Sequence, residues 1–153
     1  MRDELVFMMG KFEARFPTDR QYAKNHMWAL PAADGHGYRV GFAAYAVRLL
    51  QDVYFLDWSI EAETQLEEKQ LIGAIESSKA ESDLYSPMTG RLARFNERLL
   101  SDPSAINVDK YGAGWLFEME AAGGELLSAQ QYLAHLEAVW PVTQRTIKGQ
   151  MNE

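Results

Sequence analysis

Lys79 stands within the run Gly73-Ala74-Ile75-Glu76-Ser77-Ser78-Lys79-Ala80-Glu81-Ser82-Asp83-Leu84-Tyr85-Ser86-Pro87. A primary amine is a nucleophile toward an activated acyl group once it has lost its proton and is held within reach. Leu71, Ile72 and Ile75 precede the lysine, Leu84 and Tyr85 follow it, and small and polar residues lie between. That order reads as strand, tight turn, strand, with Lys79 at or near the turn. A lone turn lysine is most often only a solvated charge. Here Ser77, Ser78 and Ala80 are small enough to let another protein close around the amine, and the flanking strands would stiffen its base. A lysine in water is almost wholly protonated at neutral pH. Acylation would therefore need an enzyme that presents the acyl group in activated form and deprotonates the amine.

Other chemistries find no footing. The chain has no cysteine, which excludes disulfides, thiolate metal sites and cysteine nucleophiles. Any thiol chemistry must come from a prosthetic group. His26, His36 and His135 are too dispersed for a helical zinc motif. Gly112-x-Gly114 lacks the rest of a dinucleotide fingerprint, and Ser128 is more simply a helix cap than a nucleophile.

The chain has 153 residues, enough for one domain with a real core, and 47% of them are hydrophobic. Asp and Glu number 22 against 15 Lys and Arg, a net charge of −7. That balance disfavours nucleic acid and anionic membranes, whose phosphates attract basic faces. It suits a freely dissolved protein, or one that docks on basic patches of partners. The first residues lack the cationic and apolar regions of a signal peptide, and no apolar run approaches membrane-spanning length. The expected location is the cytoplasm, or an organelle matrix after removal of a targeting peptide.

Residues 5–20 mix apolar and charged side chains without a clean period. Phe7, Met8, Met9, Phe12 and Phe16 predict an arm that packs on the domain, with Pro17 marking its end. Strands are predicted over residues 26–30 and 38–42 around a Gly/Asp-rich turn, followed by a short helix over 43–51. A β-prone segment over 52–58 and a glutamate-rich connection lead into the lysine hairpin, whose arms are 70–76 and 82–85. Strands follow over 91–96 and 115–119, with a loop over 101–109 between them that holds one helical turn after Pro103. Gly123-Gly124 breaks the chain. Ser128 with Gln131 forms a capping-box pattern before a helix whose apolar face is Tyr132, Leu133, Leu136, Val139 and Trp140. Pro141 is expected to end that helix. The sum is a mainly β domain, a sandwich or barrel, with a C-terminal helix.

The segment Glu76-Ser77-x-Lys79-Ala80-x-Ser82-Asp83-Leu84-Tyr85-Ser86-Pro87-x-x-Gly90 resembles the lipoyl-attachment segment of the glycine cleavage system H protein family. Three more segments resemble that family in order. They are Tyr22 through His26-Met27-Trp28; Arg39-Val40-Gly41 with Asp52-Val53-Tyr54-Phe55-Leu56; and Asp102-Pro103…Asn107…Tyr111-Gly112-x-Gly114-Trp115-Leu116. The match spans about residues 22–120. Biotinyl domains set their lysine between methionines, and lipoyl domains of dehydrogenase complexes usually show Asp-Lys-Ala. Ser78-Lys79-Ala80 fits neither as well.

The resemblance implies a barrel-sandwich hybrid of two small antiparallel sheets, with the lysine at a hairpin turn. It implies lipoate, amide-linked to Lys79, on a carrier protein and not an enzyme. Glu76, Ser77, Ala80, Asp83, His26, Asn25 and Met27 would serve the arm's cleft and recognition by the modifying enzyme, with His26 packed and hydrogen-bonded near the hairpin. The implied partners are a lipoate ligase or a lipoyl/octanoyl transferase, together with glycine decarboxylase, aminomethyltransferase and dihydrolipoamide dehydrogenase. The expected organisation is a monomer with an arm (1–21), a carrier domain (22–120) and a helical extension (121–153).

The chain also departs from the family. Met27 replaces the glutamate of His-Glu-Trp, Ala43-Ala44-Tyr45 replaces a stretch that usually holds an acidic residue, Gln51 replaces a glycine, and Asp57-Trp58-Ser59-Ile60 replaces Leu-Pro…Gly. Losing a carboxylate makes a cleft less suited to a bound cation. This opens an alternative, a lipoate-binding protein that carries sulfur fragments to a heterodisulfide-reductase-like complex. A scaffold that keeps the fold without the cofactor is a third possibility, against which the intact run around Lys79 stands.

Overall fold

The computed structural model describes residues 3–121 and 124–151. The chain opens with β1 (Glu4–Met9), β2 (Phe12–Pro17), β3 (Gln21–Tyr22), β4 (Met27–Pro31) and β5 (Tyr38–Phe42). Helix α1 (Ala44–Leu50) leads to β6 (Val53–Trp58), β7 (Gln65–Leu66), β8 (Leu71–Ser77), β9 (Glu81–Tyr85) and β10 (Gly90–Phe95). Two helical turns, α2 (Arg98–Ser101) and α3 (Ala105–Val108), precede β11 (Phe117–Glu120) and the long α4 (Ala129–Met151).

All pairings are antiparallel. A six-stranded sheet runs β3-β4-β5-β11-β10-β7, and a three-stranded sheet runs β6-β8-β9. These two sheets are the expected barrel-sandwich architecture. Between them lies an aliphatic core that includes Val40, Leu66, Ile72, Ile75, Met88, Leu92 and Phe117, each at most 1% exposed. Gly41 faces Trp28 across the β4–β5 register, and the indole lies where a Cβ on residue 41 would sit. A side chain there would expel the tryptophan.

The N-terminal arm is a hairpin of its own. Leu5, Phe7 and Met9 on β1 and Phe12, Ala14 and Phe16 on β2 share one face, which packs on α1 and α4. A second core forms there, aromatic where the first is aliphatic, around Phe16, Tyr22, Trp28, Tyr45, Tyr132 and Leu136. Tyr22 stacks on Tyr132 at 4.5 Å between ring centroids, and Phe16 meets both rings edge-on at 5.5 and 5.3 Å.

Two sequence expectations are corrected. Residue 26 does not begin a strand; His26 adopts φ 70° in the turn before β4. The three residues between Ala23 and Met27, whose backbones are hydrogen-bonded, end in this left-handed position, a common three-residue hairpin loop. Pro141 does not end α4, which runs on to Met151. A proline removes one backbone donor and crowds the preceding turn. Here it sits on the exposed side, and the helix is anchored beyond it by Tyr45, whose phenol donates to Thr143 Oγ1 at 2.7 Å. The helical turn expected after Pro103 is α3, and a further turn, α2, precedes that loop. The capping box is formed: Ser128 N–H donates to Gln131 Oε1 and Gln131 N–H to Ser128 Oγ. Of the Gly123-Gly124 break, residue 123 lies outside the described residues.

Candidate functional site

Strands β8 and β9 end at Ser77 and Glu81, leaving Ser78, Lys79 and Ala80 as the turn. All three turn residues are exposed, whereas Ser77 is 4% exposed. The Ser77 hydroxyl accepts the N–H groups of Lys79 and Ala80 at 3.4 and 3.2 Å and donates to the Ala80 carbonyl at 3.1 Å. Ser77 N–H also donates to the Ala80 carbonyl, at 2.9 Å. A buried hydroxyl therefore closes the turn from beneath. Lys79 is exposed on this turn, while Ile75 and Leu84 on the flanking strands point into the core.

Beside the turn, along the free edge of β9, a cleft of about 240 Å³ opens toward α1 and the loop before β4. Ala80, Ser82, Asp83, Leu84 and Tyr85 form one side. Asn25, His26 and Met27 form another, and Phe42, Ala46, Leu49 and Leu50 close the back. Of the residues singled out from the sequence, Ala80, Asp83, His26, Asn25 and Met27 thus converge on one cleft. Glu76 and Ser77 do not: Glu76 pairs in register with Glu81 and Phe55 across the three-stranded sheet, and Ser77 is buried beneath the turn.

Each wall has a distinct physical character. Met27 is 2% exposed and sits among aliphatic neighbours. Asn25 ties the loop to the lysine sheet by donating its Nδ2–H to the Tyr85 carbonyl at 3.1 Å. His26 stacks on Tyr45 at 4.5 Å, and its Nδ1 shares a 2.9 Å hydrogen bond with the Tyr132 hydroxyl. Its partner is therefore α4 and not the lysine hairpin. Burial, and secondarily the neighbouring His135, lowers the His26 pKa to about 4. The imidazole is neutral at physiological pH, so Asp83 is the one charged group among the described residues that line this cleft.

The apolar back wall was only half visible in the sequence. Leu49 and Leu50 stood out as apolar positions of a short helix, but Phe42 read only as the end of a strand and Ala46 only as a helix former. Asn107, discussed below, gave no signal beyond its place in a motif. Among the described residues no helix is long and apolar enough to cross a membrane, and no group of three or more His, Cys, Asp or Glu could hold a metal.

A family model described as Glycine cleavage H-protein matches residues 20–142, beginning just after the β1–β2 hairpin. The glycine cleavage system H protein of Beutenbergia cavernae is 42% identical over 119 residues, covering 77% of this chain and 94% of that protein. The one from Myxococcus xanthus is 38% identical over 125 residues, covering 79% and 95%. A crystal structure of a glycine cleavage system H protein from Mycobacterium marinum matches with a TM-score of 0.69 at 36% identity, covering 78% of this chain and 97% of that one.

Proposed function

Because the chain belongs to the glycine cleavage H-protein family, we propose that it is a lipoyl carrier whose prosthetic arm is attached to Lys79. Proteins of this family carry lipoate covalently on a lysine and act as carriers, not enzymes. The observation that carries the assignment to Lys79 is its place: an exposed residue on a turn locked from below by Ser77, next to Ala80, which lines the cleft. The residues fit the group. The amine is accessible for amide formation, and the apolar walls suit an aliphatic chain ending in a five-membered disulfide ring.

When attached, the group supplies a redox-active dithiol on a long flexible tether, which raises its local concentration at each enzyme the carrier meets. This chain contributes positioning. Lys79 provides the nitrogen, and attachment converts an ammonium to an amide, changing the net charge from −7 to −8. Met27, Leu49 and Leu50 give the cleft an apolar lining, and Asp83 supplies a negative charge beside it. A lipoate ligase or lipoyl/octanoyl transferase would perform the attachment. The cargo would be the aminomethyl group, passed among glycine decarboxylase, aminomethyltransferase and dihydrolipoamide dehydrogenase in the cytoplasm.

One observation favours a second reading. With Met27 buried in the cleft and His26 neutral, the cleft offers a cation little compensation for lost water. A neutral sulfur-bearing cargo, delivered to a heterodisulfide-reductase-like complex, would need none. Incubating the lipoylated protein with glycine decarboxylase and glycine separates the two. Gain of an aminomethyl group supports the first reading, and its absence removes it. Met27→Glu should raise any residual aminomethyl loading; unchanged loading would contradict the importance of cleft polarity.

A further inference from the structure

Besides Ser77, a second set of hydrogen bonds fixes the lysine turn, and it begins far away in sequence. Ser78 N–H donates to the Asp52 carbonyl at 2.9 Å, and Asp52 N–H donates to Ser78 Oγ at 3.2 Å. Asp52 is in turn gripped on both sides by one carboxamide. Asn107 on α3 accepts the Val53 N–H on Oδ1 at 2.9 Å and donates from Nδ2 to the Gln51 carbonyl. The residue beside Lys79 is thus fastened to a tripeptide that Asn107 holds at each end.

That tripeptide is under strain. Gln51 has φ 63° and ψ −138°, a conformation that glycine adopts freely and a residue with a Cβ resists. Its N–H is held by the Val47 carbonyl and its own side chain by the Arg48 carbonyl, while Asn107 holds its carbonyl. Without Asn107 the strained residue is free to relax. The peptide that follows it would turn, and Asp52 would leave Ser78.

We propose that Asn107 is a positioning residue for acylation of Lys79: acting through residues 51–53 and Ser78, it keeps the turn in the conformation the modifying enzyme accepts. This rests on the reading of Lys79 as the attachment lysine. If only a fraction of molecules hold the competent turn, apparent affinity for the enzyme falls by that fraction. The Michaelis constant for the carrier then rises while kcat is preserved.

The test compares full-length wild-type protein with Asn107→Ala, Asn107→Asp, Gln51→Gly and the Asn107→Ala/Gln51→Gly double variant. Each is acylated by a lipoate ligase with lipoate and ATP at varied carrier concentration, and amide hydrogen exchange of the folded proteins is followed in parallel. Loss of two net hydrogen bonds predicts a KM about tenfold higher in Asn107→Ala, with kcat unchanged. Exchange at the Ser78 amide should quicken while Ile72 and Leu92 in the core stay protected. Asn107→Asp keeps the acceptor for Val53 and should fall between. Gln51→Gly in the Asn107→Ala background should recover much of the lost KM, because the strain that drives relaxation is gone. Wild-type KM and exchange in Asn107→Ala would overturn the proposal, as would exchange that quickens everywhere alike without rescue by Gln51→Gly. If wild-type Lys79 accepts no acyl group, the attachment reading fails instead, and the exchange comparison still decides whether Asn107 holds the turn.

Discussion

The two sides of α1 are built on opposite principles. Toward the lysine sheet, Ala46, Leu49 and Leu50 face an open cleft whose neighbouring turn is held by hydroxyls, a carboxamide and main-chain bonds. Toward the N-terminal hairpin and α4, Ala44 and Tyr45 enter a closed aromatic cluster. Tyr111 links the hairpin to the helix: its hydroxyl accepts the Ala44 N–H and donates to the Arg15 carbonyl, both at 2.8 Å. One side spends its contacts on keeping an amine displayed and the other on burying rings. A short helix thus becomes a wall that is rigid behind and open in front. The hairpin lies outside the residues that the family model matches.

The difference can be broken most strongly from the packed side. Phe16 is 1% exposed and contacts both Tyr22 and Tyr132. Phe16→Ala should cost about 3–5 kcal/mol in chemical denaturation, through lost burial and a cavity. Acylation of the remaining folded protein should keep its wild-type KM. A raised KM would mean that the two sides are coupled.

His26, which belongs to both sides, gives the next largest effect through pH. Its pKa is about 4 in the folded protein and near 6.5 when unfolded. Between those values the unfolded chain binds the extra proton. The contribution is therefore complete above pH 6.5 and is lost as pH falls toward 4, by about 3 kcal/mol at most. His26→Gln should flatten the stability profile over that window; an unchanged slope would show that another group is responsible. Smallest is the cap of α4. Ser128→Ala removes the acceptor for the Gln131 N–H and should cost about 1 kcal/mol without touching the cleft.

Local signals made the turn at Lys79 and the Ser128 cap legible in the sequence, since each depends on residues within a few positions. The β1–β2 hairpin was not legible. Its inward residues Leu5, Phe7 and Met9 do alternate, but Val6 and Met8 fill the outward slots with exposed apolar side chains and mask the period. Pro141 misled because the helix beyond it is tied down by a tertiary contact, the bond of Tyr45 with Thr143, which no local rule encodes. His26, Asn25 and Met27 were flagged by resemblance. That they face Ala80 and Asp83 across a cleft with an apolar back is a consequence of the sheets closing, which no spacing within one segment encodes.

The central claim is that one lysine, held out by a locked β turn, receives the prosthetic group. Intact mass with peptide mapping of protein co-expressed with a lipoate ligase and lipoate tests it directly. The expected result is one lipoyl-sized increment, confined to the peptide containing Lys79, absent from Lys79→Arg, and with the same melting temperature in both proteins. No increment, or one that persists in Lys79→Arg or maps to another lysine, would contradict it.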